Sequence, residues 1–328
     1  MNFFLRIFKF LPPEIAHAIS LRSLDLLYKA GLINYFFKVP TDDFFNFVGL
    51  KFRNRLGTAA GLDKNGDFID ALGSLGFGFL EIGTVTPLPQ NGNPKPRVFR
   101  NFKEKSIINR LGFNNKGVDH VLTNLKKTKY GGVIGVNIGA NKNSSDDQRI
   151  NDYLTCLVQI YKYCDYITIN ISSPNTPQLR DLHSEEDLNK LILEIEKKIK
   201  EMDITIPIFL KISPDESNEQ IDRITERVNK SLITGIVATN TTINRKTIKN
   251  ENFKKKEGGL SGAPLFDISN DVISRVRNHS LAIPLIGVGG VNSRNDFNQK
   301  IELGADLVQI YSGFVIKGPT IISEILDH

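Results

Sequence analysis

From residue 56 onward the chain repeats one pattern eight times. Short β-rich runs fall at 56–60, 79–85, 132–138, 166–172, 206–212, 235–240, 284–288 and 307–312. Between them lie stretches long enough for a helix each. One is 185–202, whose EEDLNKLILEIEKKIK places apolar residues at helical spacing. Eight β/α repeats predict a closed (β/α)8 TIM barrel rather than an open sheet. In such barrels the active site sits at the C-terminal ends of the strands, so the residues that end each run are the first candidates for chemistry.

The fourth run, Tyr166 to Ile171, breaks into a loop with Ser173 at its corner, flanked by the amides of Asn170 and Asn175 and followed by two prolines: NISSPNTPQL over 170–179. Pro174 fixes its own φ and keeps Ser173 out of helical geometry, so the hydroxyl is held on a defined corner. A structural turn rarely needs two amides, a hydroxyl and two prolines together. NISSPNTPxLR resembles the active-site loop of the dihydroorotate dehydrogenases, flavin enzymes that oxidise dihydroorotate to orotate in pyrimidine synthesis. Eight further segments resemble that family's motifs, in the same order. They are AAGLDK (59–64), EIGTVTP (81–87), NRLGFNN (109–115), GVNIG (135–139), ATNTT (238–242), GGLSGAPL (258–265), GVGG (287–290) and LVQIYSGF (307–314). Serine at 173, where the soluble branch carries cysteine, points to class 2, the membrane-associated, quinone-reducing branch.

The chain's bounds agree. At 328 residues and 40% hydrophobic content it can bury a large core. Its two cysteines, Cys156 and Cys164, have neither CxxC nor zinc spacing and read as small packed groups. The net charge of +6 suits an anionic substrate, cofactor or lipid. The cations are dispersed with no aromatic-interleaved basic motif, so nucleic acid is not expected. No histidine pair has metal-ligand spacing, so no metal is expected, and His183 reads as a surface residue near a helix start.

Residues 1–40 form a separate unit from the 41–328 barrel. Phe3, Phe4, Ile7, Phe8, Phe10 and Leu11 recur three and four apart, interrupted by Arg6 and Lys9; Pro12 and Pro13 then open a second amphipathic helix, 14–30, with Gly31 as its C′ residue. Two readings stand: a helical hairpin capping the barrel bottom, or a monotopic contact in which aromatics enter the acyl boundary while Arg6, Lys9, Arg22 and Lys29 meet anionic headgroups. No run is long enough to span a membrane. A signal peptide is a weak alternative, because the apolar stretch is short, broken by cations and lacks a small-residue cleavage site, and no transit peptide is expected. The expected location is the cytoplasmic side of a bacterial inner membrane, peripherally bound.

The resemblance implies one FMN per chain. Barrel enzymes commonly hold phosphate with the loops after strands seven and eight, where Gly290, Tyr311 and Ser312 stand; glycine lets backbone N–H groups approach phosphate oxygens, and Gly262 would add a donor. Ala60, Gly61, Leu62, Asp63, Thr84, Asn137, Asn170 and Thr239 would contact the rest of the cofactor, as the resemblance implies. Lys211 ends the run IPIFLK and points into the barrel mouth, where an unpaired ammonium is costly; negative charge on reduced flavin would be its partner. Lys64 would span the flavin and the substrate carboxylate. For either lysine an ordinary salt bridge is the alternative.

Orotate's ring alternates N–H and C=O groups, an edge that side-chain amides match without adding charge. Asn109, Asn170, Asn175 and Asn240 lie in matching motifs, and Thr241 with the backbone of Asn109, Arg110, Leu111, Gly112 and Phe113 completes the family's substrate pocket. Oxidation removes a proton from C5 and a hydride from C6, so a base is needed; Ser173 is the candidate, acting through a relay such as Thr176 or a water. By resemblance, His17, Arg100 and Tyr311 line a quinone passage walled by residues 1–40, although Arg100 in KPRVFR also reads as a surface cation. The rival functions are another flavin barrel, a sugar-phosphate barrel and a membrane-surface binding protein. The first lacks its cysteine acid here, and the other two leave the amide set or the 170–179 loop unexplained.

Overall fold

A computed structural model describes residues 10–175 and 184–327, without the side chains of residues 146 and 147. The expectations for Phe3, Phe4, Arg6, Ile7, Phe8, Lys9, Thr176 and His183 therefore lie outside the described residues. The predicted repeats close into a barrel of eight parallel strands. In spatial order these are β3 (Leu56–Thr58), β4 (Phe79–Val85), β7 (Val133–Ile138), β8 (Tyr166–Asn170), β9 (Ile208–Ile212), β10 (Gly235–Ala238), β12 (Leu285–Val288) and β13 (Leu307–Ile310). Most are shorter by one or two residues than their apolar runs; at β3, β8, β10 and β13 it is the last residues of the run that leave the ladder to become the mouth. Register holds those ends level: Gly83 pairs Asn137, Asn170 pairs Lys211 and Ala238 pairs Gly287.

Helices follow in turn: α3 (Ile69–Gly73), α4 (Val118–Leu125), α5 (Asp146–Ile160), α6 (Glu185–Met202), α7 (Asn218–Asn229), α9 (Phe266–His279), α10 (Arg294–Glu302) and α12 (Thr320–Leu326). Short helices α8 (Glu251–Lys254) and α11 (Ser312–Lys317) sit in loops. The boundaries of α6 match the sequence expectation. Ser184 caps it by accepting from Asp187 N–H, and Leu188, Leu191, Ile192 and Ile195 are buried.

Before the barrel come α1 (Pro13–Lys29), α2 (Ile33–Phe36) and a hairpin of β1 (Phe45–Phe47) and β2 (Leu50–Phe52). Helix α1 starts with proline at its first position, where the missing N–H has no helical partner to lose. It ends as predicted at Gly31, whose φ of 70° places it in the left-handed region; Gly31 N–H reaches Tyr28 O and Leu32 N–H reaches Leu27 O, both at 2.9 Å. The bottom-cap reading of this helix is overturned. Helix α1 packs on α3 and on β5 (Val98–Asn101), which leads away from the C-terminal end of β4. The barrel bottom is instead plugged by the hairpin: Phe52 meets Phe79 edge-on at 5.4 Å, Phe47 stacks on Phe209 at 6.3 Å, and Tyr166 meets Phe209 at 5.7 Å.

The mouth carries one further element that the β/α pattern does not predict. Strand β6 (Ser106–Asn109) pairs antiparallel with β5 and with β11 (Gly259–Gly262), tying the excursion after β4 to the one after β10. This three-stranded sheet carries Asn109, Ser261 and Gly262 to the mouth.

Candidate active site

The strand ends line a cavity of about 140 Å³, open to solvent, at the C-terminal end of the barrel. Its walls include Ala60, Gly61, Lys64, Thr84, Asn170, Lys211, Thr239, Gly262, Gly290, Tyr311 and Ser312 from the predicted cofactor set. From the predicted substrate and catalytic sets they include Asn109, Leu111, Gly112, Phe113, Asn175, Asn240, Thr241 and Ser173. Residues as far apart in sequence as Ala60 and Ser312 therefore meet around one space.

Four expected residues are not brought to it. Leu62 is packed in the core at 1% exposure. Asp63 turns inward, where its carboxylate accepts the backbone N–H groups of Asn65, Asp67 and Phe68, capping that turn. Burial pushes Asp63 up to about 6, against those three donors. Asn137 sits fully buried behind the wall, accepting from Thr84 Oγ1 at 2.6 Å and from Asn170 Nδ2 at 3.1 Å. The Arg110 guanidinium pairs with Glu257 at 3.1 Å.

The amides converge as the ring-edge argument requires. Asn240 Nδ2 donates to Asn170 Oδ1 at 3.2 Å and to Ser172 Oγ at 3.0 Å, and Asn175 Nδ2 donates to Asn109 Oδ1 at 3.3 Å. Ser173 is 5% exposed, and its Oγ accepts the backbone N–H of Asn175 at 3.3 Å. That donor lies on the side of the oxygen where negative charge would grow as the hydroxyl proton departs.

Lys211 is buried where the sequence places it, but it already has a protein partner. Its Nζ lies 3.8 Å from Glu81 Oε1 on β4. Burial lowers the Lys211 pKa, and the Glu81 charge opposes that. Glu81 is the main residue that sequence reasoning misses. Its Oε1 accepts Asn137 Nδ2 at 2.9 Å, while Oε2 accepts Gln309 Nε2 at 2.7 Å, Thr168 Oγ1 at 3.0 Å and Tyr166 OH at 3.1 Å. A carboxylate needs such a set to be tolerated inside a barrel. The available signal is a lone acid in the apolar run FLEIGTV. Gln309, another cavity residue missed, leaves its Oε1 buried without a hydrogen-bond partner among the described residues.

Lys64 forms no ion pair among the described residues. Burial draws its pKa down to about 8, helped by Arg97 and opposed by Glu14 and Asp63. Beside it lies the inner side of α1. His17 hydrogen-bonds the Leu62 backbone and is drawn down to about 4 by burial and by the Lys64 charge, so its imidazole is neutral at pH 7. The Tyr311 ring packs over Gly61, and burial pushes its phenol up to about 12. Arg100 is no plain surface cation: its guanidinium donates to Leu11 O at 2.6 Å and lies over the Phe102 ring.

The residues present fit a phosphate-bearing flavin. Gly290 has a φ of 79°, and a Cβ there would fall 2.5 Å from Phe266 Cα, so the backbone lies open on the cavity side where a side chain has no place. Ser312 Oγ is held by Ser261 Oγ at 2.8 Å on the same rim. At the other end the Gln309 carbonyl oxygen lacks a donor, and the buried Lys211 ammonium offers charge to an anionic ring. No group of three or more His, Cys, Asp and Glu side chains that could hold a metal occurs among the described residues.

Comparison with known proteins agrees with the geometry. The family model described as dihydroorotate dehydrogenase matches residues 44–328. A dihydroorotate dehydrogenase (quinone) of Saccharophagus degradans is 46% identical over 322 residues, covering 97% of this chain and 95% of the relative. One from Buchnera aphidicola is 47% identical, covering 96% of each. Among solved structures, the dihydroorotate dehydrogenase of Eimeria tenella in complex with ferulenol superposes with a TM-score of 0.88 at 31% identity, covering 96% of this chain and 89% of that one.

Proposed function

This chain belongs to the dihydroorotate dehydrogenase family, in its quinone-dependent branch, and on that premise we propose how its cavity works. The protein oxidises dihydroorotate to orotate in pyrimidine biosynthesis and passes the electrons to a quinone. It uses a flavin, as the family does, and we assign that flavin as FMN, one per chain. The observation that carries the assignment is the pairing of two unlike ends in one cavity. Buried Lys211 and an unpartnered Gln309 acceptor face one side, and the Gly290–Ser312 rim faces the other.

When bound, FMN supplies the acceptor for the hydride that leaves C6 of the substrate. The chain does the rest. Asn109, Asn170, Asn175 and Asn240 present paired donors and acceptors to the ring edge of dihydroorotate. Lys64, which forms no ion pair among the described residues, takes the substrate carboxylate. Ser173 removes the C5 proton, and the Asn175 N–H steadies the oxygen as charge develops on it. The hydroxyl is too weak an acid to be ionised beforehand, so proton loss is coupled to hydride departure. Lys211 compensates negative charge on the cofactor, and Glu81 holds that ammonium in place.

Residues 1–40 form the quinone-facing unit and 41–328 the barrel. Helix α1 turns Ile15, Ile19 and Leu26 outward, and Tyr35 and Phe36 of α2 continue that apolar face. None of the described helices is long and apolar enough to cross a bilayer. The protein binds peripherally at the cytoplasmic side of the membrane through this face. His17, Arg100 and Tyr311 lie along the quinone's approach.

Anaerobic mixing with dihydroorotate tests the reading. Bleaching of the flavin absorbance, followed by fast reoxidation with a quinone and slow reoxidation with fumarate or NAD, is the expected result. A colourless protein, or a flavin that dihydroorotate leaves oxidised, would overturn it.

A further inference from the structure

Lys300, on α10, is the one wholly buried lysine among the described residues, at 0% exposure, and the mechanism above does not use it. Its ammonium donates to Ser269 Oγ and to Asn270 Oδ1, both at 2.8 Å, and lies 5.1 Å from the centre of the Phe266 ring. Both oxygens are neutral. No carboxylate lies within ion-pair distance of it among the described residues, although a buried lysine ordinarily requires one. Asp296 on its own helix and Asp267 on α9 are the charged groups that act on it, from farther away. A buried cation held only by neutral oxygens has unspent charge.

Two of these contacts, Ser269 and Phe266, lead to the phosphate rim. Ser269 Oγ, which accepts from Lys300, lies 3.2 Å from Gly289 O and 2.9 Å from Phe266 O, within donating reach of both. Gly289 precedes Gly290, and Gly290 rests directly on the Phe266 backbone. The aliphatic stem of Lys300 lies under Gly287, where an added Cβ would meet Lys300 Cδ at 3.4 Å. Lys300 thus runs beneath the whole GVGG turn and ends two hydrogen bonds from the peptide that carries the open backbone donors.

We propose that Lys300 is a positioning residue for the flavin phosphate: it fixes the Gly289–Gly290 turn through Ser269 and supplies, from behind the turn, positive charge that the phosphate dianion complements. This rests on the assignment of FMN above. Phosphate oxygens bind the backbone N–H groups in front, and the cation behind polarises the same peptides in the favourable direction. Burial draws Lys300 down to about 7 in the flavin-free protein, opposed by Asp296 and Asp267. A phosphate across the turn favours the charged form and raises that value, so FMN binds with proton uptake above pH 7 and more weakly as pH climbs to 9. Lys64 and Lys211 also face the cavity, so the measured quantity is a ratio between two flavins that both lysines meet alike.

The holoenzyme is equilibrated with an excess of equal FMN and riboflavin, and the bound ratio is read by chromatography at pH 7 and pH 9. Riboflavin lacks only the phosphate. The parent protein is expected to prefer FMN, with a preference that falls several-fold from pH 7 to 9. Lys300→Met is expected to lose about tenfold of the preference and all of its pH dependence. Lys300→Gln keeps a donor for Ser269 and Asn270 without charge, and is expected to behave like Lys300→Met. Rescue by Lys300→Gln would assign a purely structural role and overturn the charge proposal. So would an unchanged ratio in either variant. If neither variant folds, a parental preference that is flat from pH 7 to 9 overturns it. A parent protein with no preference for FMN would instead overturn the cofactor assignment on which the proposal rests.

Discussion

The two ends of the barrel are built from opposite chemistry. At the N-terminal end, Phe47, Phe52, Phe79, Tyr166 and Phe209 close the bore with rings at 5.4 to 6.4 Å from one another. At the C-terminal end the bore is lined by Glu81, Asn137, Asn170, Lys211 and Gln309, nearly every polar atom tied to another. Tyr166 belongs to both: its ring meets the plug and its hydroxyl donates to Glu81. Burial of aromatic rings stabilises mainly in proportion to the apolar area removed from water, with a smaller preference for edge-on or offset contact. A buried polar network gives little net stability but fixes geometry, and it leaves specific atoms unmatched for a ligand. Stability should therefore reside at the bottom and activity at the top.

The largest test of that division is Ser173→Ala. Flavin reduction by dihydroorotate should slow by about 10²–10⁴, the range for loss of a positioned acid–base group, while the Tm stays at the parental value. Stopped-flow reduction at the parental rate would remove Ser173 as the base, and a large fall in Tm would break the comparison. The mirror experiment is Phe209→Ala at the other end. Truncating a fully packed ring should cost about 3–5 kcal/mol in denaturant unfolding, with kcat of the folded fraction within about twofold. Loss of kcat without loss of stability would show that the plug reaches the chemistry through Tyr166.

How much of each end can be read from the sequence follows the same divide. Buried parallel strands are near-continuous apolar runs, so all eight barrel strands stand out, and helix α6 matches its pattern to the residue. The plug does not stand out: β1 and β2 have three residues each, too few for an alternation to register, and their partners Phe79 and Phe209 lie in other repeats. Ser173 and the asparagines are legible because a loop of prolines and amides needs a reason. Glu81 and Gln309 are not, because one polar residue in an apolar run has no period. Their contact spans 228 residues, and only the closed barrel creates it. Asp63 shows the converse, since a carboxylate beside a binding motif can be consumed by its own turn.

A pH experiment sharpens the comparison at Lys64. Its folded value of about 8 lies below the ordinary 10.5, so the unfolded chain holds the proton more tightly between those limits. Stability from this group therefore rises with pH across that window. The proposed contact with the substrate runs the other way, because a carboxylate is held by the ammonium and not by the amine. KM for dihydroorotate should rise up to about tenfold above pH 8, and Lys64→Met should give a high KM that is flat with pH. The same rise of KM in the variant would assign the carboxylate to another cation.

The smallest effect is expected at Glu14→Gln, which asks whether α1 belongs to the catalytic end. Arg97 is buried and donates to Glu14 Oε1 at 2.8 and 3.1 Å, to Asn91 O at 2.5 Å and to Asn93 O at 2.9 Å. Asn93 Nδ2 in turn donates to Arg110 O at 2.9 Å and to Asn175 O at 3.3 Å, beside Ser173. Helix α1 is thus linked through Arg97 and Asn93 to the loop that carries Ser173. Glutamine keeps an acceptor for Arg97 but removes the charge, and the two backbone carbonyls remain, so the loss should be about 1–2 kcal/mol and a few degrees in Tm. If the link only anchors α1, reoxidation by long-tailed quinone should slow a few-fold while reduction by dihydroorotate is unchanged. Equal slowing of both half-reactions would mean that the helix sets the geometry of the Ser173 loop, and that the polar end of the barrel extends to α1.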